Sequence, residues 1–152
     1  MSKNEIRQYS LDRVKEYGDL YSAAFSGPPW FDPWQAADAA VHVKELLEIP
    51  TSYCLEYTVD GQAAGLLLGH SQMFHSGRIF EISDLTVSPD FQKRGIGRRL
   101  LEQCLDDLEQ MGIGSVSLLT ASEGSLADFY KKFGFTPSGR VMLMEKELHS
   151  DK

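Results

Sequence analysis

A chain of 152 residues, 42% hydrophobic and 24% charged, is long enough to bury one substantial core and falls in the single-domain range. Its formal net charge of −7 argues against general nucleic-acid binding, which needs a clustered basic surface, and favours a cationic or neutral partner. The polar start "MSKNEIRQYS" lacks a signal-peptide core, and the longest apolar run, "AAGLLLG" at 63–69, is too short to span a bilayer. A cytoplasmic protein with no membrane partner is expected.

In chain order, "EIRQYS" reads as a short strand, and Leu11, Val14, Tyr17, Leu20, Tyr21, Ala24 and Phe25 follow at helical spacing. "SGPPWFDPW" at 26–34, with three prolines and both tryptophans, ends that helix. A second helix is predicted from about Gln35 to Glu48, before Pro50. "TSYCLEYTV" and "QAAGLLLGHSQMF" meet at Asp60-Gly61, a hairpin turn signal, and "RIFEISDLTV" is a further strand. From Gly97 to Met111, Leu100, Leu101, Cys104, Leu105 and Leu108 mark one face of an amphipathic helix. "SVSLLTA" reads as a buried strand, "SLADFYKKFG" as a short helix and "RVMLMEKEL" as a last strand. This order predicts an α+β or α/β sheet covered on both faces.

The sharpest local feature is "DLTVSPDFQKRGIGRRLLEQCL": a strand, a proline turn, a glycine loop and the amphipathic helix. Lys93, Arg94, Arg98 and Arg99 concentrate positive charge there against the acidic background. Gly95 and Gly97 let a ligand approach the main chain, and free N–H groups at a helix start attract anions. Taken alone, a Gly-X-Gly is equally compatible with a plain turn. A dinucleotide fingerprint would need a third glycine where Leu100 stands, and a P-loop would need Gly-Lys-Ser/Thr; neither is present.

"VSPDFQKRGIGRRLL" closely resembles motif A of the GNAT superfamily of N-acetyltransferases, and "FYKKFGF" at 129–135 resembles the same family's motif B. The resemblance covers about Phe80 to Glu145. It implies an α+β, three-layer fold with a mixed, mostly antiparallel sheet of six to seven strands, splayed at an acetyl-CoA cleft. It further implies acetyl-CoA as co-substrate, its pyrophosphate on the loop Gln92, Lys93, Arg94, Gly95, Ile96, Gly97 and Arg98. The pantetheine arm would pair with the main chain of Leu85, Thr86 and Val87 as an added strand.

By the same resemblance Glu81 matches the general base that deprotonates an amine acceptor, with Asp84 as alternative if a bulge shifts the strand register. The Val87 amide matches the donor to the developing oxyanion, and Tyr130 matches the general acid for the leaving thiolate. Many relatives carry an asparagine where this chain has Glu123, which puts that pantetheine contact in doubt. The two cysteines, Cys54 and Cys104, lack metal-ligand spacing and a patterned histidine, so free thiols, no metal and no acyl-enzyme are expected. His70 and His75 read as ordinary surface or packed histidines.

Trp30, Phe31 and Trp34 beside Asp32 suit an amine-bearing acceptor through cation–π contact and charge, or else plug the gap between the first two helices or serve a dimer contact. The function implied is acetyl transfer to a primary amine of a small molecule or protein. The alternative is a non-catalytic acyl-CoA-binding module. A homodimer is reasonable by family resemblance.

Overall fold

The computed structural model describes residues 3–149, which form two compact units that divide between Leu119 and Thr120. In the first, strands β1 (Asn4–Gln8), β2 (Ser52–Val59), β3 (Gln62–Phe74), β4 (Gly77–Val87) and β5 (Ser115–Leu118) lie side by side in sequence order. The first three pairings are antiparallel and β4–β5 is parallel. The sheet is therefore mixed and mostly antiparallel as expected, but it has five strands among the described residues rather than six to seven. The β2–β3 turn is the anticipated one: Asp60 and Gly61 both take positive φ, 51° and 82°, as a tight hairpin turn requires.

Helices α1 (Val14–Phe25) and α2 (Ala36–Leu47) cover one face of the sheet, where Tyr17, Leu20, Tyr21, Ala39 and Val43 pack with Cys54, Leu66 and Leu68. Gly18 lets the two helices close: a Cβ there would stand 2.8 Å from the Ala36 carbonyl oxygen and the Ala40 methyl. Helix α3 (Ile96–Gln110) lies on the other face, burying Ile96, Leu100, Leu101, Cys104 and Leu108. Gly65 admits it, since a Cβ there would stand 2.9 Å from Ile96 Cγ2. Across this face the Tyr53 hydroxyl donates to Asp107 at 2.7 Å and Arg99 donates to the Tyr57 hydroxyl at 3.1 Å.

A fully buried carboxylate sits on the α1 side of β2. Glu56, 0% exposed, accepts from the Tyr17 hydroxyl at 2.9 Å, from Arg13 Nε at 2.9 Å and from Arg7 Nε at 3.4 Å. The cluster joins β1, the turn before α1, α1 and β2, and burial pushes the Tyr17 phenol up to about 12, so it stays a donor.

In the second unit α4 (Ser125–Lys131) carries Tyr130, whose ring stands 5.1 Å from Phe129 and 5.7 Å from Phe135. "RVMLMEKEL" forms no strand: residues 141–149 have no sheet partner among the described residues, and Val141, Met142, Leu143 and Met144 are exposed. A run of strand formers becomes a strand only when another strand accepts its main-chain bonds, which is not a local property. β5 also stops at Leu118, short of "SVSLLTA", and its residues alternate between exposed and half-buried rather than buried.

Candidate active site

Two features of β4 shape the site. The first is its edge. β5 pairs with β4 only from Ile79↔Ser115 to Ile82↔Leu118, so from Ser83 to Val87 the β5 side of β4 has no strand partner among the described residues. The Ser88 amide bonds to the Ala64 carbonyl, toward β3. By alternation the main-chain groups of Leu85 and Val87 therefore point the other way, to the open side, and Thr86 points to β3. Gln92 Nε2 reaches the Val87 carbonyl on that side at 3.2 Å.

The chain then runs through a 3-10 turn, Pro89–Phe91, into the glycine loop. Lys93 and Gly95 take φ of 65° and 79°, and α3 begins at Ile96 with no side-chain cap and no acidic residue in its first turn. Its first N–H groups and positive dipole end are left for an anion. Ile96 contributes only its amide, because its side chain is 3% exposed and packs at Gly65. The Arg94 guanidinium lies 5.2 Å over the Phe91 ring, Arg98 pairs with Glu102 at 3.0 Å, and Lys93 is exposed.

The second feature is a bulge. Leu68 faces Asp84, yet Gly69 faces Ile82, so Ser83 is an extra residue in β4. His70 faces Glu81 across the ladder, and residues directly opposite share a face. Leu68 and His70 are two apart on β3, so Glu81 and Asp84 both project to the α1–α2 side. Strict alternation would have put them on opposite faces.

Around each carboxylate stands an imidazole. Glu81 Oε1 lies 3.8 Å from His70 Nε2, and its side chain is 43% exposed. Asp84 is 12% exposed: its Oδ1 accepts from the Tyr21 hydroxyl at 3.1 Å and its Oδ2 meets His42 Nε2 at 3.2 Å. Tyr21 Oη and His42 Nε2 are themselves 3.2 Å apart, closing a triangle. The hydrogen bond to Asp84 raises the His42 pKa, burial working against it, and burial raises the Tyr21 phenol, which stays protonated. On this face His70 Nδ1 and the hydroxyl of Thr86, two positions beyond Asp84, are enclosed without a hydrogen-bond partner.

The family model for GNAT acetyltransferases matches residues 15–135, which spans both units. The chain belongs to the GNAT acetyltransferase family. Over 53 residues it is 42% identical to the ribosomal protein bS18-alanine N-acetyltransferase of Salmonella typhimurium, 34% of this chain and 36% of that one. Over 112 residues it is 31% identical to the N-alpha-acetyltransferase RimI of Mycobacterium tuberculosis, 71% of this chain and 65% of that one. The matched region thus spans less than two thirds of these relatives. In structure it resembles a protein from Clostridium difficile 630 described as a possible acetyltransferase, with TM-score 0.81 and 16% identity over 96% of this chain and 99% of that one. It also resembles the aminoglycoside N-acetyltransferase AAC(6')-Iy in complex with CoA, with TM-score 0.74 and 18% identity over 97% of each chain.

In this GNAT chain the aromatics of 26–34 divide. Trp34 packs edge-on to Tyr21 at 5.2 Å and against His42 at 5.2 Å, whereas Trp30 is 38% and Phe31 67% exposed, Phe31 with φ of 51°. Trp34 also borders a depression with Asp32, Pro33, Gln35 and Asp38. Tyr130 is 8% exposed in the second unit, and Glu123 is exposed. Both thiols are buried, and burial pushes Cys104 up to about 12 and raises Cys54, which suits packing rather than nucleophilic attack. Among the described residues no group of three or more His, Cys, Asp or Glu is arranged to hold a metal, and no helix is long and apolar enough to cross a membrane.

The sequence did not single out His42 or Tyr21. One signal was available: His42 borders the buried stripe of α2, three residues after Ala39 and one before Val43, where a polar ring needs a partner.

Proposed function

We propose that this protein transfers the acetyl group of acetyl-CoA directly to a primary amine, with the whole chain working as one acetyltransferase domain. The observation that carries this reading is the open main-chain edge of β4 over 83–87, which leads directly into an uncapped, glycine-shaped helix start. An extended amide-bearing arm fits the first and a pyrophosphate the second, as acetyl-CoA presents them in that order. When bound, acetyl-CoA supplies an activated acyl group.

The chain's own residues do the rest. Main-chain groups of Leu85 and Val87 align the arm, and N–H groups from Lys93 to Arg98 hold the diphosphate. The Val87 amide, on the open side, faces the acyl oxygen as it gains charge. Glu81, the freer of the two carboxylates on the α1–α2 face, takes a proton from the acceptor, whose ammonium has a pKa of about 10.4 when it is lysine-like. Tyr130 returns a proton to the departing thiolate. Trp30 and Phe31, with Asp32, form an exposed aromatic and acidic wall for an amine-bearing acceptor, supported behind by Trp34. Two buried free thiols accord with a reducing compartment such as the cytoplasm.

A first test is thermal shift with CoA, acetyl-CoA, ATP and NAD, followed by thiol release over a panel of amines. CoA at about 100 times its dissociation constant should stabilise by about 2.7 kcal/mol, and ATP or NAD should not. Glu81→Gln should retain that shift and lose turnover most at low pH, and Tyr130→Phe should slow transfer without losing CoA. Stabilisation by ATP or NAD instead of CoA would refute the assignment, and CoA binding without turnover of any amine would leave a binding module.

A further inference from the structure

Acetyl transfer to an ammonium draws two protons from the acceptor nitrogen, and the single base assigned above takes one of them directly. The acceptor nitrogen arrives with three N–H bonds and leaves as a secondary amide with one. While the C–N bond forms and the C–S bond breaks, it gives up two protons. The balance is one proton on the CoA thiol and one to solvent. A single carboxylate cannot take the second proton until it has shed the first.

We propose that His42, held by Asp84 and Tyr21, is a second proton acceptor for the acceptor nitrogen, working beside Glu81. This rests on the acetyl-transfer reading above. The bulge at Ser83 sets Glu81 and Asp84 on one face, at the place where β4 loses its β5 partner. An ionised carboxylate only accepts hydrogen bonds, so the 3.2 Å contact to Asp84 Oδ2 fixes the proton of neutral His42 on Nε2. Nδ1 then keeps its lone pair, on a side chain 34% open to solvent.

Asp84 and Tyr21 are positioning residues. Tyr21 occupies the other carboxylate oxygen at 3.1 Å and keeps Asp84 from rotating away. The groups around the imidazole are Asp84 from β4, Tyr21 from α1, Trp34 from the loop and Glu45 on its own helix. The acids among them favour the imidazolium that forms, much as a buried aspartate does behind a catalytic histidine.

The experiment combines imidazole NMR with kinetics on the intact protein. In ¹⁵N-histidine-labelled protein, His42 should show the Nε2–H tautomer and titrate above its ordinary value, and D84N should abolish both. In amine acetylation, H42A should lose about 10²-fold or more in kcat while keeping the CoA-induced thermal shift, and added imidazole should restore part of the rate. H42Q, closer in size, should be equally slow without rescue, which separates proton transfer from packing. An H42A rate within twofold of wild type, or a His42 resonance unchanged by D84N, overturns the proposal. If CoA fails to stabilise the wild-type protein, the acetyl-transfer reading falls and this one with it; if CoA binds and H42A turns over normally, only His42's role falls.

Discussion

Replacing Gly65 by alanine tests the packing that positions the glycine loop. The new methyl would stand 2.9 Å from Ile96 Cγ2, 3.1 Å from Leu100 Cδ1 and 3.2 Å from the Thr86 carbonyl oxygen. Carbon atoms rest at about 3.5–4.0 Å, so α3 must retreat by about 0.6 Å or more. Ile96 cannot swing aside: it is 3% exposed and, being β-branched, has one preferred rotamer in a helix. Overpacking of this kind costs about 1–3 kcal/mol, of which about 0.5–1 is offset by removing a glycine from a strand. The net loss of up to about 2.5 kcal/mol lowers Tm by up to about 10 °C at this chain length. Because Ile96 begins α3, the CoA-induced shift should shrink as well. Thermal melts with and without CoA read both, with Gly114→Ala as control: a Cβ there meets nothing closer than 3.8 Å. A Gly65→Ala protein that melts at or above wild type with its CoA shift intact would refute the reasoning.

Glu56→Gln leaves two arginines facing a neutral amide in a buried place and should destabilise by about 3 kcal/mol, read by urea denaturation; a change under about 1 kcal/mol would mean that Arg7 and Arg13 rehydrate freely. Trp34→Ala should lose about 2 kcal/mol or more through its contacts with Tyr21 and His42, whereas Trp30→Ala should stay within about 0.5 kcal/mol of wild type and raise the acceptor KM. The opposite pattern would make Trp30 the plug and Trp34 the wall.

Elements whose signal is local were legible in the sequence. The apolar stripe of α3, the Asp60-Gly61 turn and the glycine loop each state their own structure within a few residues, and the family motifs are made of such stretches. Where structure depends on a distant partner, the sequence misled. "RVMLMEKEL" has strand composition but pairs with no strand among the described residues, and "SVSLLTA" extends past the point where β5 leaves β4. Nothing local marks Glu56, because only the fold brings Arg7, Arg13 and Tyr17 around it. The pairing of Asp84 with His42 and Tyr21 needs three elements far apart in the chain, so neither helix residue stood out. Spacing alone also left open whether Glu81 and Asp84 share a face, since a bulge is seen only against the neighbouring strand.

The extra residue at Ser83 means that the shape of β4 at this site is written in chain length as much as in side chains. Substituting Ser83 leaves the register of β4 intact, and deleting it would set Glu81 and Asp84 two apart, which simple alternation also keeps on one face; what the extra residue adds is the local bend and twist of β4 where β5 leaves it. Every acidic and histidine side chain of the site would then still share one face, on a straighter strand.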